Sequence, residues 1–210
     1  MDIAGAVRAH RTYFRTGKPL DVDFRKKNLK KLKSALFRHE DKLYDAFWAD
    51  LHKARFEVFG TEIGMVSKEV DLHAKHIRKW ARPTRVRTDL LNFYSTSRIY
   101  HEPYGVVMIL SPWNYPLQLA LLPLVGAISA GNCVMLKPAH YSEHVSEVIR
   151  ELISETFDPG YISVVTGGRD VNQALLEERF DFIFFTGSPY LGRIGMEKAA
   201  KHLTPVTLEL

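Results

Sequence analysis

Apolar residues change their spacing twice along this chain, and the two changes divide it into three parts. Over residues 1–82 they recur at helical intervals. Val22, Leu29, Leu32, Leu36, Leu43, Phe47 and Leu51 stand between polar positions and predict amphipathic helix. A second long helix is predicted to start at Thr61, a good cap, and to run through Ile63, Val66, Val70, Ile77 and Trp80. Pro83 closes it, because the residue before a proline is pushed out of helical conformation. Residues 56–60 are expected to form the bend between the helices.

Residues 83–104 lose the helical period. The stretches 90–94 and 97–101 are rich in aromatic and β-branched residues, which predicts two extended segments around a Ser-Thr-Ser turn. They form an arm projecting from the main sheet. A two-stranded arm is marginal alone, so packing against a partner subunit, as in a homodimer, is expected.

From residue 105 to 210 a regular alternation sets in. Apolar runs at 106–110, 133–136, 162–165, 180–185 and 206–210 predict strands, and 117–130, 142–156, 171–178 and 191–202 predict helices. Near-continuous apolar strands separated by helices suit a parallel sheet covered on both faces. The expected fold is α/β, a doubly wound Rossmann-like sheet preceded by a helical layer.

Composition adds little to that picture. With 46% hydrophobic and 25% charged residues, the 210-residue chain has the make-up of an ordinary globular protein. The net charge of +5 owes much to Arg25, Lys26, Lys27, Lys30, Lys31 and Lys33. In a helical context this run reads as a solvated face, and no aromatic or glycine-rich pattern accompanies it, so no nucleic acid partner is expected. The lone cysteine, Cys133, cannot form an internal disulfide. The start of the chain is polar and charged, and the longest apolar stretch, 117–130, is too short to span a bilayer. A cytoplasmic protein with no membrane anchor is expected. The nine histidines show no metal-ligand spacing, so no metal site is expected.

The chemistry-bearing residues gather just past strand ends. Ligands of open α/β sheets bind in the crevice outside those ends. Asn114 follows Pro112 and Trp113 in the first turn, where it serves either as a helix cap or as an amide donor. Lys137 leaves the second strand, either toward solvent or toward a ligand. At the fourth strand, Gly187 allows a close turn, Ser188 can cap the next helix, and Gly192 lies one turn further on. Such a junction suits a pyrophosphate, although an ordinary capped turn explains it equally well. Glu209, between Leu208 and Leu210, is a carboxylate among apolar neighbours and is expected to titrate above the usual carboxylate range. Cys133 has no neighbouring cation or histidine and is expected to be a buried structural thiol.

Ser-Pro-Trp-Asn-Tyr-Pro followed by Gly-Asn-Cys-Val-Met-Leu-Lys-Pro resembles the aldehyde dehydrogenase family, and within it the class 3 branch acting on fatty and aromatic aldehydes. Gly187, Ser188 and Gly192 match the family's Gly-Ser-x-x-x-Gly cofactor turn, and Leu-Glu-Leu at the end of the chain matches the motif that bears its glutamate. The resemblance implies an NAD(P)-binding fold and oxidation of an aldehyde substrate to a carboxylic acid with NAD or NADP. It implies that Lys137 bonds the adenosine ribose and that Gly167, before another helix, contributes to the cofactor groove. Trp113 would be a wall of the site. Asn114 would donate to the developing oxyanion, an interaction worth around 3 kcal/mol, and Glu209 would activate the hydrolytic water. His140 stands where many relatives carry a glutamate that grips the ribose, so NADP is expected to be accepted beside NAD.

The family's catalytic cysteine lies beyond its glutamate, and Cys133 does not replace it. The chain therefore reads as the truncated, cofactor-binding N-terminal part of a dehydrogenase, with the catalytic domain absent and no turnover of its own. Leu208 and Leu210 are expected to face a missing layer, favouring self-association. Two alternatives stand: a nucleotide-binding or interaction module without catalysis, and part of an acyl phosphate or acyl-CoA reductase. Glu209 argues against the latter, which needs no water-activating base.

Overall fold

The computed structural model describes residues 2–210. The chain opens with α1 (Ile3–Arg15), capped by the Asp2 carboxylate, which accepts the Gly5 N–H at 2.8 Å. Next come α2 (Val22–Arg38) and α3 (Glu40–Leu51), then α4 (Arg55–Val58), which continues through a π-helical turn at Phe59–Ile63 into α5 (Gly64–Trp80). The short strands β1 (Thr84–Val86) and β2 (Ser97–Ile99) pair antiparallel as an arm. The α/β part follows as β3 (Val106–Leu110), α6 (Gln118–Ala130), β4 (Cys133–Lys137), α7 (Glu143–Thr156), β5 (Ile162–Val164), α8 (Arg169–Glu177), β6 (Phe182–Thr186), α9 (Pro189–Ala200) and β7 (Val206–Glu209).

The sheet order is β5-β4-β3-β6-β7, with every pairing parallel. The chain thus starts at the central strand, builds outward through β4 and β5, then crosses back to build through β6 and β7. Right-handed crossovers taken in opposite directions put α6 and α7 on one face and α8 and α9 on the other. The first face is thick: α2, α3 and α5 pack with α6 and α7. Every residue of β3 and β4 is buried, as the continuous apolar runs require of strands covered on both sides. The switch point lies between β3 and β6, and a crevice opens past their carboxyl ends.

The N-terminal helices and the arm depart from the sequence expectation. The chain breaks at His39, between α2 and α3, and again at residues 52–54, where His52 takes a left-handed conformation with φ of 52°. Residues 56–60 are helical rather than a bend. Thr61 caps nothing; its hydroxyl donates back to the Glu57 carbonyl inside the helix. In the arm, residues 90–92 form a 3-10 turn and not a strand, because the Asp89 carboxylate accepts the Leu91 N–H and nucleates it. The arm's first strand is the earlier Thr84–Val86 segment. Within the basic run, Arg25 is buried and not solvated. It donates to the carbonyls of Pro19, Leu20 and Ser129, and so ties α2 to the end of α6.

His10 locks α1 to the sheet. It is fully buried, with Nδ1 2.8 Å from the Gly160 carbonyl and Nε2 2.8 Å from Ser163 Oγ. A carbonyl only accepts, so Nδ1 carries the proton and Nε2 accepts from the serine. Burial lowers its pKa, against the pull of Gly160 and Asp158. A histidine held neutral in the fold stabilises it above the unfolded value of 6.5, and that contribution is lost as pH falls through the folded value. Urea denaturation at a series of acidic pH values should therefore show a loss of stability that His10→Gln flattens.

Candidate functional site

Three strand ends and two helix starts enclose one cavity at the switch point, with a volume of about 570 Å³. The β3 end contributes Leu110 to Trp113, the β4 end Lys137 to Tyr141, and the β6 end Phe185 to Ser188. Helices α8 and α9 close it with Asn172 and Leu191 among others. A smaller hollow of about 410 Å³ adjoins along Pro138, Ala139 and His140 and reaches Gly167.

Lys137 is the most telling side chain here. It occupies the last position of β4, opposite Leu110, and is only 3% exposed. Its ammonium donates to the Pro138 carbonyl at 2.7 Å and has no other partner among the described residues. An ammonium carries three donors, so two stay open. Burial drops its pKa from 10.5 to about 8. The solvent-facing alternative is thereby ruled out.

Three further polar groups on the cavity wall are buried without a hydrogen-bond partner among the described residues: Ser111 Oγ, Asn172 Oδ1 and Thr186 Oγ1. Buried polar atoms are normally satisfied, and leaving one unpaired costs about 1–3 kcal/mol. Their concentration in one cavity, beside a half-used ammonium, marks a surface shaped for a polar ligand rich in hydroxyls. Backbone closeness supports this. Gly167 has φ of 141°, and a Cβ there would stand 2.5 Å from the Val171 side chain; at Gly187 a Cβ would stand 2.7 Å from the Phe185 ring. No side chain fits at either turn.

The turn at α9 is a weaker anion cradle than its motif suggests. Ser188 caps the helix, its Oγ accepting the Leu191 N–H at 3.4 Å. The Gly187 N–H donates to the Glu209 carbonyl and extends the sheet, while Pro189 has no N–H. Only the amides of Ser188 and Tyr190 stay available for a phosphate. Gly192 does not line the cavity. It lets α9 approach the end of β7, and a Cβ there would lie 2.6 Å from Leu210.

Trp113, Lys137, Gly187 and Ser188 thus meet in one cavity, with Gly167 in the adjoining hollow. Asn114 stands on the next residue of the β3 turn, exposed, and its side chain bonds to nothing among the described residues. It is not a cap. Helix α6 starts four residues later, and its first amides, Leu117 and Gln118, donate to the carboxylate of Glu62. Glu209 closes β7 opposite Thr186, two strands and about 10 Å of sheet from β3. Its side chain is exposed, so the apolar surroundings expected from the sequence are not there. Alternation explains this, since Leu208 and Leu210 point away from it along the strand.

Sequence reasoning missed Glu62 and Lys53. The Lys53 ammonium bridges Glu62 Oε1 at 2.9 Å and the Asn114 carbonyl at 3.0 Å. Burial raises the Glu62 pKa, while Gln118 N–H and Lys53 pull it back. A signal existed: Val58, Glu62, Val66 and Val70 share one helical face at i, i+4 spacing, and the other three are apolar. Cys133 sits fully buried at the start of β4, and burial raises its thiol to about 12. It is inert at neutral pH.

Known proteins share this fold. The family model of the aldehyde dehydrogenase family matches residues 1–210. Aldehyde dehydrogenase family 3 member B3 of Mus musculus is 46% identical over 94% of this chain and 41% of its own length. The substrate-bound structure of Staphylococcus aureus AldH superposes with a TM-score of 0.98 at 40% identity, over 100% of this chain and 46% of that one. The NAD+ complex of aldehyde dehydrogenase from Bacillus cereus superposes with a TM-score of 0.88 at 26% identity, over 100% of this chain and 43% of that one. The chain spans less than half the length of such relatives. With the family's sequence pattern matched throughout and its fold reproduced around the cavity, this chain belongs to the aldehyde dehydrogenase family.

Proposed function

We propose that this chain is the nucleotide-binding portion of a longer NAD(P)-dependent aldehyde dehydrogenase that oxidises aldehydes to carboxylic acids. The observation that carries it is the buried, half-used ammonium of Lys137 among unpartnered polar groups at the sheet's switch point. In this reading Lys137 holds ribose hydroxyls, the amides of Ser188 and Tyr190 meet a phosphate, Gly167 and Gly187 give the backbone clearance, and Trp113 walls the groove. The bound dinucleotide supplies the hydride acceptor. Asn114, whose side-chain amide is uncommitted, donates to the oxyanion that forms at the aldehyde carbon. Glu209 serves the water that releases the acid, once neighbours supplied by the longer protein surround it.

His140 borders the cavity half-exposed, with Nδ1 3.8 Å from Glu143. His140 brings no negative charge against a 2′-phosphate where a glutamate would, and Glu143 stands nearby, so both NAD and NADP are accepted. The residue divisions 1–82, 83–104 and 105–210 correspond to a helical layer, an assembly arm and the cofactor core. The arm exposes Leu90, Leu91, Phe93 and Tyr94, an apolar cluster that suits a homodimer. No helix among the described residues is long and apolar enough to cross a membrane. The working compartment in this reading is the cytoplasm, where a single unpaired thiol is ordinary.

Because its one cysteine is buried and stays protonated, the chain on its own is expected to bind without turning over. Titrating it with NADH and NADPH, followed by quenching of protein fluorescence, should give saturable binding. Mixing it with NAD and an aromatic aldehyde should produce no NADH. Absence of binding would overturn the nucleotide reading, and steady NADH production would overturn the assignment of chemistry to the longer protein.

A further inference from the structure

We infer that Lys53 and Glu62 are positioning residues, which together hold the Asn114 turn in place and leave its side-chain amide free to act. The inference rests on the oxyanion role proposed for Asn114. The turn between β3 and α6 is pinned at both ends. At its start the Ser111 N–H donates to the Lys137 carbonyl at 3.2 Å, continuing the ladder. At its end one carboxylate does two jobs. Glu62 Oε2 accepts the N–H groups of Leu117 and Gln118 at 3.2 and 2.8 Å, while Oε1 accepts from Lys53. It thus replaces the missing side-chain cap of α6, whose first residue has none of its own.

Lys53 fastens the middle of the turn. Its ammonium donates to the Asn114 carbonyl and lies 4.0 Å from the centroid of the Tyr115 ring. The backbone of Asn114 and the ring beside it are therefore fixed by the same cation, with the Asn114 side chain uncommitted. That is what a preorganised donor requires, because a donor that must reorient at the moment of reaction loses much of its effect.

The fold commits unusual geometry to this arrangement. Glu62 is fully buried and lies within the π-helical turn Phe59–Ile63, which re-aims side chains relative to the regular helix. Lys53 follows His52, whose left-handed conformation ends α3. Two irregular backbone features flank the pair, and both bring it to bear on the one turn that carries Asn114.

The experiment is amide hydrogen exchange and side-chain 15N resonances on this chain, comparing wild type with Glu62→Gln, Lys53→Met and Lys53→Arg. Hydrogen bonds to charged groups contribute about 1.5–3 kcal/mol, so loss of the ammonium or the charge should speed exchange at Leu117 and Gln118 about tenfold to a hundredfold. The Asn114 side-chain amide resonance should broaden or shift in Lys53→Met and return in Lys53→Arg. A purely structural role would instead speed exchange across the whole sheet and lower Tm without singling out the turn. NADH affinity should stay within about twofold, because neither residue lines the nucleotide cavity. Unchanged exchange at Leu117 and Gln118 in both Lys53→Met and Glu62→Gln, or an unaltered Asn114 resonance in Lys53→Met, overturns the inference. Failure of the wild type to bind NADH would instead strike the nucleotide reading and leave this result standing.

Discussion

Replacing Lys137 with methionine should make the chain more stable and, in the same step, cost it most of its affinity for a dinucleotide. The first effect follows from burial. The ammonium has a single carbonyl partner among the described residues, and its pKa falls from 10.5 to about 8. A lysine depressed in the fold binds its proton less tightly than in the unfolded chain. Its contribution is therefore fully favourable above 10.5 and is lost as pH falls through about 8. Near neutrality the charged side chain costs about 2 kcal/mol, after allowance for solvent reaching the cavity mouth. Methionine keeps the length of the apolar stem and removes the charge. Urea denaturation should show the variant more stable at pH 7 and the difference shrinking toward pH 10.

The second effect follows from the open donors. A ligand hydroxyl bonded to a charged group contributes about 1.5–3 kcal/mol, so NADH affinity should fall about tenfold to a hundredfold in Lys137→Met. A ligand that satisfies the ammonium also raises its pKa. Binding by the wild type should then take up a proton above pH 8 and weaken as pH rises, visible by calorimetry in buffers of different ionisation heat. A variant that is both less stable and unimpaired in binding would remove Lys137 from the site.

Gly131→Ala should be among the most damaging small substitutions in the molecule. Gly131 ends α6 with φ of 94°, a left-handed conformation that costs an L-residue about 1–2 kcal/mol. The added Cβ would also stand 2.8 Å from the Arg25 guanidinium carbon. That guanidinium cannot swing aside cheaply, since the carbonyls of Pro19, Leu20 and Ser129 all hold it. Displacing it strands buried acceptors and adds about 2 kcal/mol. The sum, about 3 kcal/mol, should lower Tm by roughly 6–12 °C for a chain of this size. The two terms separate in a double-mutant cycle. With Arg25→Ala in the background, Gly131→Ala should cost only the backbone term, about 1 kcal/mol. Equal cost in both backgrounds would show that the guanidinium plays no part.

Much of this is legible in the sequence. Continuous apolar runs announced buried parallel strands, and the structure places all five within a residue or two of the expected bounds. The helices of the α/β part were equally plain, because Ser188 and the 3.6-residue period are local signals. The arm was half legible. Its aromatic content marked an extended hairpin, but the short Asp89 side chain turned residues 90–92 into a 3-10 turn and moved the first strand back to Thr84–Val86. Local hydrogen bonding outweighed composition there. The same competition misplaced the start of the long helix, since Thr61 bonds inward and His52 supplies the reversal.

Sequence by itself determined the strand order's raw material, the residues available at each strand end and the single, inert cysteine. Those are properties of residue type and spacing, which pattern alone carries. Tertiary structure decided which of those residues meet. Lys137 and a solvated lysine look identical in sequence, as do Arg25 and the cations beside it. Burial separates them, and burial is set by partners far along the chain, such as the Ser129 carbonyl 104 residues from Arg25. Glu62 caps a helix 55 residues away for the same reason. Charge, capping and open valence belong to neighbourhoods, and only the folded sheet assembles them.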